Sequence, residues 1–227
     1  MNPARGGGLL TRSIDIMSGM IGRKIGMSNI FDESGNIVPV TLIETVPNIV
    51  TQIKTKEKDG YEAVQLAVGS KTAKHTSKAI QGHSKKANLA ERFPKIFREF
   101  KDFNISEIQL GAEIKMDMFQ EGEKVTVIGI SKGKGFQGVV KRHGFGGINE
   151  TTHGASDRPR SPGSIGGSSD PSRVFKGMRM AGRMGTDRVT IKNLKVVRVD
   201  KESNVLFIRG SVPGATNSYI EIRKNGE

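Results

Sequence analysis

Residues 131–188 constrain the fold most, because they are too poor in apolar side chains to fold around a core of their own. These fifty-eight residues hold thirteen glycines and only five Ile, Leu or Val. So little apolar surface cannot offset the conformational entropy lost on ordering the segment alone. The hydrophobic core must therefore lie elsewhere, with this stretch as an excursion from it. It is not a plain linker. Phe136, Phe145 and Phe175 punctuate it, Pro159, Pro162 and Pro171 stiffen it, and eleven Lys/Arg outnumber four acids. A long, kinked, cationic strap that needs a partner to become ordered implies a polyanion of fixed shape, and folded RNA fits that description.

The charge map points the same way. The net charge is +13; residues 131–188 contribute +7, residues 71–101 another +7, and everything else −1. A nearly neutral body thus carries two basic appendages. A uniformly basic surface would serve solubility, whereas concentration of the excess in two segments reads as a binding footprint.

Removing both segments leaves 138 of the 227 residues, enough for one sizeable core or a core with a satellite. The chain has no cysteine, which excludes disulfides and thiolate metal sites. No apolar run approaches the roughly 20 residues of a membrane-spanning helix. The first twenty residues lack an apolar h-region and so do not read as a secretory signal. Together these features point to a cytoplasmic protein.

The neutral body reads as strands. Asp32–Asn36 is a turn between MSNIF and IVPVTLIETV, and Pro47-Asn48 separates the latter from IVTQIKT. A Lys58–Gly60 turn leads into YEAVQLAV, whose Val64, Leu66 and Val68 share one face while Tyr61, Ala63, Gln65 and Ala67 share the other. KVTVIGIS precedes the strap; RVTIKN, LKVVRVD, VLFIRG and YIEIRK follow it. Short strands and tight turns on both sides of a long insertion suggest a mainly β protein built on a closed antiparallel barrel, with an open sandwich as the alternative. Within 71–101, Ala87–Phe93 is expected to be a short helix stopped by Pro94. Phe93, Phe97, Phe100 and Phe103 read as core of a satellite rather than as base-stacking groups.

Two motifs tempt an enzymatic reading. Gly133–Gly138 spells G-x-G-x-x-G after an apolar strand, and Asp157 lies nineteen positions beyond it. A dinucleotide fingerprint must open an amphipathic helix, and VVKRHGFGG, with its three glycines, leaves no room for one. A P-loop is excluded because Val139-Val140 stand where Lys-Ser/Thr would be required. The run His153–Asp157 contains the residue types of a hydrolytic triad, but neighbours in a loop lack the framing such chemistry needs. The four histidines show no metal-ligand spacing. No catalytic, metal or cofactor site is read from the sequence, and a nucleotide-binding enzyme using Gly133–Gly138 is retained only as the rival hypothesis. A DNA-architectural protein is a second rival, one that would prefer duplex DNA.

A series of motifs runs through the chain in order: MIGRKIGM (Met20–Met27), SKGKGFQG (Ser131–Gly138), THG (Thr152–Gly154) and PGSIG (Pro162–Gly166). VFKG (Val174–Gly177), MAG (Met180–Gly182), Met184-Gly185 and VPGA (Val212–Ala215) complete it. In this order they resemble the bacterial large-subunit ribosomal protein L-three family, from about Met17 to the C-terminus. The resemblance implies a six-stranded barrel of the elongation-factor type with a small α-containing insertion. It also implies a long loop threading 23S rRNA toward the peptidyl transferase centre, and early assembly near the 3′ end of that RNA. Residues 1–16 are then an extension without fixed structure, 17–70 and 119–130 barrel strands, and 71–118 the basic insertion. Residues 131–188 are the RNA-binding loop, and 189–227 the closing strands. Some relatives carry a methylated glutamine at the loop tip; this tip, GGINETTH, has none.

The expected RNA contacts are Lys132, Lys134, Lys141, Arg142, His153, Arg158, Arg160, Arg173, Lys176, Arg179 and Arg183. Ile148, Asn149, Glu150, Thr151, Thr152 and His153 are expected at the tip nearest the peptidyl transferase centre. The implied partners are 23S rRNA and neighbouring large-subunit proteins, with no membrane, small-molecule substrate or cofactor.

Overall fold

The computed structural model describes residues 19–225 apart from 88, 90–92, 102, 104, 106, 107, 149–152 and 157. The expectations for the extension 1–16 and for Asn149, Glu150, Thr151 and Thr152 fall outside the described residues.

Strands β1 (Gly19–Phe31) and β2 (Ile37–Glu44) form a long hairpin, closed at Asp32–Asn36 as the turn chemistry predicts. The chain continues through β3 (Asn48–Lys54), a one-turn helix α1 (Lys56–Asp59), β4 (Ala63–Val68), helix α2 (Lys78–Lys86), β5 (Ile96–Phe100) and β6 (Glu113–Ile114). Strand β7 (Lys124–Ile130) leads into the strap, which contains β8 (Gly135–Gln137), α3 (Val139–His143) and β9 (Gly182–Met184). Strands β10 (Arg188–Asp200), β11 (Val205–Arg209) and β12 (Tyr219–Lys224) end the fold. No helix among the described residues is long and apolar enough to cross a membrane.

Six strands close into an antiparallel barrel in the order β1-β12-β7-β10-β11-β2. Its interior is filled by alternate residues of each strand, including Met20, Ile43, Val125, Val127, Val196, Leu206, Ile208, Ile220 and Ile222. A second sheet, ordered β5-β4-β3-β6, has its own cluster of Ile21, Val50, Val64, Leu66, Val68 and Phe100. Period-two alternation couples the two cores: Met20 enters the barrel while its neighbour Ile21 enters the satellite. The buried Asn48 side chain pins them together, accepting from the Ile21 N–H at 2.8 Å and donating to the Ile21 and Val46 carbonyls at 3.0 and 2.8 Å.

Several expectations are corrected here. Residues 17–70 do not all belong to the barrel, since β3 and β4 build the second sheet. Pro47 offers no N–H to a continuing ladder, and the Asn48 clamp then redirects the chain. The helix expected over Ala87–Phe93 falls largely on 88 and 90–92, outside the described residues, and a helix forms upstream at Lys78–Lys86. Pro94 disfavours helical geometry at the residue before it, and Phe93 instead bridges to Lys71. RVTIKN and LKVVRVD form one strand whose register shifts between Ile191 and Leu194, with Asn193 at φ 59°. Asparagine tolerates that left-handed position, so the strand bends without ending. Finally, a helix does follow the glycine motif, but it is five residues long and ends at Gly144.

Candidate nucleic-acid interface

The strap leaves the barrel as a continuation of the β7–β10 pair. Arg188 stands opposite Ile130, the Ser131 N–H donates to the Asp187 carbonyl at 2.9 Å, and the Lys134 N–H to the Met184 carbonyl at 3.0 Å. Strands β8 and β9 then pair from Gly135↔Met184 to Gln137↔Gly182. Backbone ladder bonds thus give the foot of the strap an order that its scarce apolar residues could not, and it stands as a two-stranded stalk. Gly185 makes the approach possible: it sits at φ 79°, and a Cβ there would collide with the Lys132 carbonyl oxygen. Gly147 does the same near the tip, where a Cβ would meet the Pro159 carbonyl oxygen and where the Ile148 N–H reaches that carbonyl at 3.1 Å.

Helix α3 buries Val139 and docks on the returning chain through Arg142 and His143. Arg142 Nη1 donates to the Met180 carbonyl at 2.7 Å, and the His143 ring reaches the same oxygen at 3.1 Å. Arg142 is therefore half-buried and already committed to the stalk. Lys132, Lys134, Lys141, His153, Arg158, Arg160, Arg173, Lys176, Arg179 and Arg183 are all exposed. None of them is in an ion pair among the described residues. They are distributed along both sides of the excursion: Arg183 opposes Phe136 across the ribbon, and Arg158 and Arg160 flank the carbonyl that closes the tip. Large apolar side chains lie between them in water, including Phe136, Ile148, Ile165, Val174 and Phe175. The Arg173 guanidinium stacks 5.7 Å from the Phe175 ring centre. Exposed cations interleaved with exposed apolar groups suit a partner that offers both phosphates and base faces.

The foot of the stalk is braced by a group the sequence reading passed over. Lys24 is buried, and its Nζ donates to the carbonyls of Val212 and Gly214 at 2.9 and 3.1 Å. Burial, and secondarily the nearby charge of Lys132, pushes its pKa below the ordinary lysine value. The loop it holds lies against the end of β7, since a Cβ on Gly129 would sit 3.0 Å from the Pro213 carbonyl. Motifs far apart in sequence therefore meet: MIGRKIGM reaches VPGA through Lys24, and SKGKGFQG reaches Met184-Gly185 through the ribbon. No group of three or more His, Asp or Glu among the described residues is arranged to hold a metal.

Residues 51–206 match the family described as Ribosomal protein L3. This chain belongs to the ribosomal protein L3 family. Relatives include the protein named large ribosomal subunit protein uL3 of Salinibacter ruber, 50% identical over 91% of this chain and 99% of its own length. Its namesake in Herpetosiphon aurantiacus is 52% identical over 92% of this chain and 97% of its own length. That of Chlorobium limicola is 50% identical over 91% and 98%. The family assignment and the closed six-stranded barrel agree with the resemblance read from the motifs. Sequence reasoning missed Lys24 and a group of arginines around Glu221. The alternation of YIEIRK, which turns Glu221 and Arg223 away from Ile220 and Ile222, was the available signal for the latter.

Proposed function

We propose that this chain is a structural constituent of the large ribosomal subunit that binds 23S rRNA directly through the stalk and carries out no catalysis. The observation that carries the reading is the stalk itself: ten exposed cationic or histidine side chains, unpaired among the described residues, on a glycine-rich ribbon anchored to a folded barrel. Such a ribbon can penetrate folded RNA, because backbone with few side chains approaches closely while Lys and Arg meet phosphates. The basic flanks supply affinity. The tip, from Ile148 to Ser156, holds no Lys or Arg and adds little electrostatic binding. The family relationship supports an early role in assembly near the 3′ end of the rRNA and an approach of the tip to the peptidyl transferase centre. On this reading the protein works in the cytoplasmic ribosome beside other large-subunit proteins. The nucleotide-enzyme alternative is weakened by a helix of only five residues after Gly138.

The test is deletion of residues 148–156. Ribosomes carrying the shortened protein are expected to assemble but to show altered peptide-bond formation. Normal activity reduces the tip to a space-filler, and failed incorporation moves the assembly determinant into the tip.

A further inference from the structure

Arg98, Lys101, Arg188 and Arg223 converge in one place beside the foot of the stalk. A cavity of about 790 Å³ opens between β5 of the satellite sheet, β7 and β12 of the barrel, and the foot of the stalk at Ile130, Thr186 and Arg188. At its floor the buried Glu221 carboxylate receives three guanidiniums: Arg98 Nε at 3.2 Å, Arg188 Nη2 at 3.0 Å and Arg223 Nη2 at 3.1 Å. One carboxylate compensates one of these charges. Lys101 adds a further cation to the lining, and the other lining acid, Glu99, is held by Lys54 at 2.8 Å and Tyr61 at 2.8 Å. The Arg223 Nε–H is buried and makes no hydrogen bond. A cluster of like charges around a single acid is a poor structural salt bridge and a good anion seat.

The walls narrow the choice of anion. Phe97, Tyr219, Ile96 and Ile130 line the same cavity, so aromatic and aliphatic faces stand beside the guanidinium forks. The volume exceeds that of a bare phosphate, and the opening lies where the cationic stalk begins. We propose that this cavity seats one extruded nucleotide of the RNA that the stalk binds, its phosphate on Arg98, Arg188 and Arg223 and its base against Phe97 and Tyr219. Guanidinium forks match phosphate oxygens, and an unstacked base recovers apolar contact on an aromatic wall. The inference rests on the RNA-binding reading of the stalk but concerns a different surface.

The full chain is irradiated with hexauridylate carrying one 4-thiouridine, and the adducts are mapped by mass spectrometry. Adducts are expected on peptides containing Phe97 or Tyr219 as well as on the stalk. Replacing both Arg98→Gln and Arg188→Gln should cut the cavity adducts by roughly tenfold, the loss expected for charge-assisted contacts, and spare those on the stalk. Arg223 remains to pair Glu221 in that variant, so folding should persist. Glu221→Gln removes the opposing charge and should raise cavity adducts, a sign that a purely structural role does not produce. Stalk adducts without cavity adducts overturn this inference and leave the stalk reading standing; absence of stalk adducts counts against that reading instead. Displacement of the cavity adducts by hexaglutamate more readily than by unlabelled hexauridylate would assign the cavity to an acidic protein segment and overturn the nucleotide.

Discussion

Residues 71–101 and 131–188 carry the same net charge, +7 each, and meet opposite fates. The first folds into the body: β5 joins the satellite sheet, α2 meets it where His83 bonds Gln65, Phe93 is 4% exposed and Phe100 2%. The second leaves the body, with Phe136 76% exposed and Phe175 54%. Charge therefore does not decide whether a segment folds. Apolar spacing decides that. Phe93, Ile96 and Phe100 fall where β4 and its cluster can cover them, while the phenylalanines of the strap are isolated among glycines. The folded segment keeps its cations on a surface that exists without RNA. The stalk has its shape from backbone ladders and leaves Phe136 and Phe175 in water.

The largest effect should come from breaking that difference with one residue type. Phe100→Ala is expected to destabilise the free protein by about 3–5 kcal/mol, the range for emptying a buried aromatic site. Phe136→Ala, in a segment of equal charge, should change stability by less than about 0.5 kcal/mol. Urea denaturation of both variants measures this, and equal losses would show that the stalk packs against a core after all.

Gly185→Ala tests the stalk at its foot. A left-handed conformation costs a non-glycine residue of order 1–3 kcal/mol, and the collision with Lys132 adds to that. The strain should open β8–β9, raising amide exchange at Lys134 and its neighbours, while the barrel's Tm stays near its original value. A drop in Tm comparable with that of Phe100→Ala would mean that stalk and barrel unfold as one unit.

The barrel was legible because strand alternation and turn chemistry are local. Asp32–Asn36, KVTVIGIS and YIEIRK each announced themselves within a few residues. What escaped depends on distant partners. That β3 and β4 leave the barrel is decided by Asn48 bonding to Ile21, twenty-seven residues away. The buried role of Lys24 depends on carbonyls at Val212 and Gly214. Arg142 counted as a free cation in the sequence, and only the return strand's Met180 carbonyl shows that it is engaged.

That last residue sharpens the comparison within the stalk itself. Removing one side chain that neutralises a phosphate lowers the log–log salt slope of RNA binding by about 0.7–0.9. Lys141→Ala should reduce both affinity and slope, because exposed Lys141 has only solvent to lose. Arg142→Ala should reduce affinity through a loosened α3, with a smaller change in slope. Titrations against rRNA at several salt concentrations distinguish the two, and an equal slope change for both would return Arg142 to the phosphate-binding set.

The smallest effect concerns acid and separates the two basic segments again. In the satellite sheet charges are satisfied locally: Lys54 Nζ bonds Glu99 at 2.8 Å and the Tyr61 hydroxyl at 2.5 Å. The Lys54 hydrogen bond, opposed by desolvation and assisted by Tyr61, holds the Glu99 carboxyl below its ordinary pKa of 4.5. Because the folded value is depressed, the unfolded chain binds more protons as pH falls through the window beneath 4.5. The pair's contribution is thus complete above that value and is lost as pH drops through the folded pKa. Solvent reaches both side chains, so the contribution is modest. Glu99→Gln should flatten the acid limb of stability without touching the neutral plateau's shape. No stalk acid is in an ion pair among the described residues, in contrast with Glu99. Urea midpoints measured from neutral pH down to about pH 3 test this, and an acid limb that Glu99→Gln leaves as steep as before would show that the Lys54–Glu99 pair stores no electrostatic stability.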